Sequence, residues 1–117
     1  MRLHHVQLAI PAGSEPQCRA FYGGVLGWQE LEKPPVLAAR GGAWFSTGAA
    51  EVHLGVEADF RPARKAHPAF AVSDLDELAA RLMGAGAAVE FDDAIPGLRR
   101  FYTADPVGNR IEFLEER

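Results

Sequence analysis

The sequence passes through one order of signals twice in 117 residues, and this repetition limits the folds open to it more than any single motif does. In residues 3 to 10, LHHVQLAI, Val6, Leu8 and Ile10 fall on one side of an extended chain and His5, Gln7 and Ala9 on the other. Pro11 and Gly13 break that strand, and Ser14 followed by Gln17 forms a capping-box pattern that opens a helix. Cys18, Phe21, Tyr22, Val25 and Leu26 give the helix one apolar stripe, with Gly27 as its stop. Three strand-like segments follow, near Trp28 to Glu32, Gly42 to Ser46 and Ala50 to Val56, separated by Pro34-Pro35 and by Gly48.

The second pass starts at His67 to Val72, a strand, and continues through Asp74 and Glu77, a second capping box. Leu75, Leu78, Ala79 and Leu82 form the buried helical stripe, which Gly84 and Gly86 end. Strands are expected near Ala88 to Phe91, Arg99 to Ala104 and Asn109 to Glu115, the last two joined by the turn Asp105-Pro106-Val107-Gly108-Asn109. The expected fold is α+β, with two tandem βαβββ modules (1–57 and 67–117) and a connector (58–66) in a single domain, 1–117. Their sheets are expected to form a cupped mixed sheet around a central site.

Four strand positions carry residues that an apolar core would not select: His5, His53, His67 and Glu112. His53 alternates with Val52 and Leu54, and Glu112 with Ile111 and Phe113. His5 and His67 open the first strands of the two modules, and His53 and Glu112 lie on the last strands. If a pseudo-twofold axis relates the modules, the four side chains converge. Three imidazoles and one carboxylate suit a divalent transition metal such as zinc, iron, nickel, cobalt or manganese. His4 points to the opposite face in this reading and is left as a surface or packing residue, and Gln7 shares the face of His5.

The segments RLHHVQLAI, AFYGGVLGW, EVHLGV, HPAFAV before DLDELAARLMGAGAAV, and the ending FYTADPVGNRIEFLEE resemble the vicinal oxygen chelate superfamily over essentially the whole chain. That group includes glyoxalase I, fosfomycin-resistance transferases, extradiol dioxygenases, methylmalonyl-CoA epimerase and bleomycin-resistance binding proteins. The resemblance implies a metal held at His5, His53, His67 and Glu112, chelating two neighbouring oxygens of a small-molecule substrate, in a chain that forms a homodimer. It also implies that Glu112 or His53 serves as proton-transfer base; glyoxalase I is similar but has a glutamate at the position of His53.

Three readings follow. The first is a metal-dependent lyase or isomerase of glyoxalase-like type. The second is a non-haem iron dioxygenase that uses His5, His67 and Glu112 alone. The third is a binding protein without catalysis that sequesters an aromatic or cationic drug or metabolite with Trp28, Trp44, Phe45, Phe101 and Tyr102.

The formal charge of -4 argues against a nucleic-acid or anionic-membrane partner. Arg61, Arg64 and Lys65 read as a solvated loop or as an anion-recognising rim, and Arg40, Arg99 and Arg100 as surface residues or substrate-orienting cations. The lone Cys18, with no long apolar stretch and no signal pattern, leads us to expect a cytoplasmic protein.

Overall fold

A computed structural model describes residues 1 to 115. It contains two compact units, Met1–Ala63 and Arg64–Arg117, which part inside the segment 58–66.

The first unit contains β1 (His5–Ile10), α1 (Glu15–Cys18), β2 (Gln29–Leu31), α2 (Pro35–Ala38), β3 (Ala43–Ser46) and β4 (Glu51–Val56). The second contains β5 (Ala69–Val72), α3 (Leu75–Gly84), β6 (Glu90–Asp92), β7 (Arg100–Ala104) and β8 (Arg110–Glu115). Each unit has one four-stranded sheet, in the orders β1-β4-β3-β2 and β5-β8-β7-β6. In both, the first strand runs parallel to the last and the other pairings are antiparallel. The βαβββ order is thus present twice, in mixed sheets.

Three local expectations need correction. Residues 34 and 35 do not simply break the chain, because Pro35 opens the one-turn helix α2. Proline at a first helical position loses no useful hydrogen bond and has its φ already set. The first helix is α-helical only over Glu15–Cys18 and continues as a π-helical stretch, Arg19–Val25, through Gly23 and Gly24. Its N-terminus has no side-chain cap. The Ser14 hydroxyl instead donates to the Pro11 carbonyl at 2.7 Å, and Pro16 has no N–H for it to receive.

The second helix follows half of its expected box. Asp74 Oδ1 accepts from the Glu77 N–H at 3.1 Å, whereas the Glu77 side chain turns to Arg81, four residues on. Gly27 and Gly86 take positive φ, at 75° and 86°, the conformation that ends a helix at low cost. In the 105–109 turn, Asp105 Oδ1 accepts from the N–H groups of Val107 and Asn109, and Gly108 has φ of 96°.

Alternation divides each sheet. Leu8, Ile10, Phe45, Val52 and Leu54 are buried in the first unit, with Cys18 and Tyr22 of the helix. Phe101, Ile111 and Phe113 are buried in the second, with Leu75, Leu78 and Leu82 of α3. The opposite face of each sheet is left to His5, Gln7, Trp44 and His53 in one unit and to Tyr102 and Glu112 in the other. Among the described residues no helix is long and apolar enough to cross a membrane.

Candidate functional site

Strand register fixes where the four singled-out residues stand. In the parallel pair β1–β4, Gln7 lies opposite His53, so His5 sits two residues before the partner of His53. In β5–β8, Ala69 lies opposite Glu112, so His67 sits two residues before the partner of Glu112. The two pairs therefore occupy equivalent positions in the two sheets. The neighbouring antiparallel strands repeat the equivalence, with Trp44 opposite His53 and Tyr102 opposite Glu112.

The first unit builds its pair from rings. His53 is buried at 6% exposure on the otherwise open face, stacked on His5 with centroids 4.2 Å apart and on Trp44 at 4.1 Å. Three adjacent strands thus supply a three-ring stack. Glu51, two residues before His53 on the same strand face, takes the His53 Nε2 at 2.9 Å. An ionised carboxylate only accepts, so that nitrogen carries the proton and a neutral ring keeps its lone pair on Nδ1. This bond holds the Glu51 carboxyl below the usual carboxylate range, against the opposing effect of desolvation. His5 Nδ1 lies 2.9 Å from His4 Nδ1. His4 is therefore a neighbour of His5 rather than a residue of the opposite face, because it precedes β1 and escapes strand alternation.

The second unit builds its pair from a nitrogen and an oxygen. His67 Nε2 is 3.0 Å from Glu112 Oε1, and His67 Nδ1 is 2.8 Å from the Lys65 carbonyl. The Lys65 carbonyl accepts from Nδ1–H, and the contact of Nε2 with the carboxylate is a hydrogen bond whose proton a metal ion would displace. Arg100 donates to the other oxygen of Glu112 at 3.3 Å, to the Tyr102 hydroxyl at 2.8 Å and to Asp92 at 3.2 Å. Burial works against the Arg100 charge, but Glu112, Tyr102 and Asp92 outweigh it and hold the guanidinium pKa above its usual value. The Ala94 N–H and Arg100 keep the Asp92 carboxyl low. Arg110 stacks on the second face element, the Tyr102 ring, at 3.8 Å.

Donor chemistry tests whether these residues fit a metal. Adjacent ligands on a divalent ion with bonds of about 2.1 Å lie roughly 3.0–3.4 Å apart, and the His67 nitrogen and Glu112 oxygen meet that spacing. A ligating histidine commonly donates its other ring N–H to a backbone carbonyl, as His67 does to Lys65. The second pair fits. The His5 and His53 rings are near parallel, 13° apart with centroids 4.2 Å apart, so their in-plane lone pairs lie in two separate planes, and the rings must turn to share an ion. Among the described residues no three His, Cys, Asp or Glu side chains stand grouped as metal ligands; the donors come as two pairs, one in each unit.

Cavities flank these faces. One of about 280 Å³ lies beside Trp44 in the first unit, and one of about 270 Å³ lies beside Tyr102, with Arg64 and Arg110 in its lining. A larger one, about 520 Å³, is formed by residues 91 to 93 and 95 to 100 and meets the Glu112 pair only through Arg100. Phe45 and Phe101 are fully buried in the core, which removes them from any ligand-binding set, whereas Trp28, Trp44 and Tyr102 are half-buried. Sequence reasoning passed over Glu51, although its spacing of two from His53 on one strand was the available signal.

A family model described as a glyoxalase-like domain matches residues 7–114. Among solved structures, a glyoxalase family protein from Bacillus anthracis is 49% identical, with a TM-score of 0.95 over 100% of this chain and 96% of that one. Lactoylglutathione lyase from Agrobacterium tumefaciens is 22% identical, with a TM-score of 0.75 over 97% of this chain and 92% of that one. The fosfomycin resistance protein FosX from Listeria monocytogenes is 16% identical, with a TM-score of 0.78 over 100% and 94% of the two chains. The last two show a shared fold. No curated protein matches the chain.

Proposed function

Since the chain belongs to the glyoxalase-like family of the vicinal oxygen chelate superfamily, we propose that it is a metal-dependent enzyme of lyase or isomerase type, acting on a small substrate with two neighbouring oxygens. The observation that carries this reading is the equivalent register of two donor pairs, one of which already has the spacing and outer hydrogen bond of metal ligands. His5 and His53 from one unit, with His67 and Glu112 from the other, would hold a divalent transition metal, brought together within one chain or across a homodimer. Such an ion supplies Lewis-acid stabilisation of negative charge developing on the substrate oxygens.

The chain's own residues have distinct tasks. Lys65 fixes the His67 ring through its carbonyl, and Arg100 restrains the second oxygen of Glu112. Glu112 can accept a substrate proton at the oxygen it does not commit to ligation, with Arg100 screening its charge. While Glu51 holds Nε2, His53 has one nitrogen left, Nδ1, which either ligates the ion or, with the ring off the metal, moves a proton. Metal analysis of protein purified without chelator tests the reading. We expect a bound transition metal, lost in His5→Ala and Glu112→Gln; absence of metal affinity, or affinity unchanged in both variants, would overturn it.

One observation favours a second reading. His53 is held between two rings and bonded to Glu51, which suits a residue that stays off the metal. His5, His67 and Glu112 then form the two-histidine, one-carboxylate set of a non-haem iron dioxygenase. Oxygen consumption with catechols after ferrous reconstitution distinguishes the two: uptake supports the dioxygenase, and silence across a broad panel counts against it.

A further inference from the structure

The cavity beside Trp44 has a composition that the metal reading does not use. Its lining carries two cations, Lys33 and Arg40, and one amide, Gln7, while the carboxylate at its Gly41–Gly42 corner, Glu15, is engaged by the Gly42 N–H at 3.0 Å. Leu37 and Trp44 add apolar surface to a wall that is otherwise mostly polar. At about 280 Å³ it lies just below the range of small-molecule sites, roughly 300–1,000 Å³.

Its form is set by the backbone. Gly55 faces the same side of β4 as His53, and a Cβ there would meet Gln7 Nε2 at 2.7 Å. The Gln7 side chain thus lies across Gly55 as the His5 ring lies across His53, one step further along the same two strands. The space that a side chain at Gly55 would take is filled by the Gln7 amide, which forms one edge of the hollow. The corner carrying Arg40 is also fixed: Gly41 and Gly42 have φ of 78° and 82°, and a Cβ on Gly42 would lie 2.0 Å from the Leu54 carbonyl. Lys33 Nζ donates to the Gly41 carbonyl and stands 6.0 Å from the centre of the Trp44 ring. An ammonium has three N–H donors, so that bond does not exhaust it. Arg40 takes part in no ion pair among the described residues.

We propose that this hollow is the recognition site for the anionic group of the substrate, a small organic carboxylate or phosphate whose charge is met by Lys33 and Arg40 and whose body lies against Trp44. Gln7 is the strand partner of His53 and Gly55 lies two residues beyond it on the same face, so a ligand in the hollow lies one step along the strands from His53. The inference names the substrate class for the site proposed above and rests on that reading only for the direction in which the bound molecule points. Binding of the anion itself requires no metal.

The test uses the full chain after chelator treatment, carrying Trp28→Phe so that Trp44 is the remaining fluorescent indole. Benzoate, inorganic phosphate and the neutral benzamide are titrated separately. Saturable quenching by benzoate or phosphate, with benzamide binding at least roughly tenfold more weakly, is the expected result; which anion binds more tightly identifies the group. Gly55→Val pushes the flexible Gln7 side chain off Gly55 and into the hollow, and should abolish binding, with circular dichroism confirming the fold. The double variant K33M/R40Q should weaken binding roughly tenfold. Equal affinity for benzamide, no binding of either anion, or unchanged binding in Gly55→Val would overturn the proposal. His5→Ala, which removes a metal donor, should keep anion binding, so failure of the metal reading and failure of this one give different results.

Discussion

On β4, His53 lies between two rings, His5 at 4.2 Å and Trp44 at 4.1 Å. On β8, at the equivalent register, Glu112 lies between a nitrogen of His67 at 3.0 Å and one of Arg100 at 3.3 Å. The backbone lattice is the same in both units, so the difference comes from the side chain at one repeat position and the neighbours it recruits. An imidazole there offers a flat face and is held by stacking. A carboxylate offers two acceptor oxygens and is held by directional charged hydrogen bonds. The second arrangement is already aligned as a ligand pair, and the first must rotate its rings and exchange a partner.

If alignment is what matters, Glu112→Gln and His67→Ala should each lower metal affinity by more than ~100-fold, and His53→Ala by ~10-fold, as measured by competition with a chelator. An equal or larger loss in His53→Ala would show that the ring stack is the stronger half. A smaller effect concerns stability. Arg100→Met strips Glu112, Tyr102 and Asp92 of a shared donor, and should lower the urea midpoint more than Trp44→Leu, which removes ring contacts worth about 0.5–1.5 kcal/mol. The reverse order would make stacking, rather than charge pairing, the stronger support.

The smallest effect is on pH dependence. The carboxyl of Glu51 is depressed by its bond to His53, so its contribution is present above the unfolded-state carboxylate pKa and is lost as pH falls through the lower folded-state value. Metal-free Glu51→Gln should therefore unfold with a flatter acid limb than the parent, below the usual carboxylate range. An unchanged limb would mean that the Glu51–His53 contact contributes nothing to stability.

Alternation alone identified the faces of His5, His53 and Glu112, because side-chain direction in a strand has a period of two. It did not fix their register, since a slip of two residues leaves every face unchanged. The π-helical path through Gly23 and Gly24 and the turn of α2 after Pro34 are likewise hidden, because the sequence shows there only one apolar helical stripe and a break. Trp44 and Phe45 look alike in composition, yet the strand sends one to the histidine face and the other to the core. The bonds of Glu51 and Arg100 depend on strands and side-chain reach that local pattern does not encode.

The central claim is that the two pairs, at equivalent places in two sheets, serve one metal centre. Titration of chelator-treated protein with cobalt(II), followed by visible absorption, tests it most directly in the parent, in the double variant His5→Ala/His53→Ala and in Glu112→Gln. One tight cobalt per chain in the parent, lost when either pair alone is broken, is the predicted result. Cobalt binding of parental affinity and stoichiometry after removal of both first-unit histidines would contradict it.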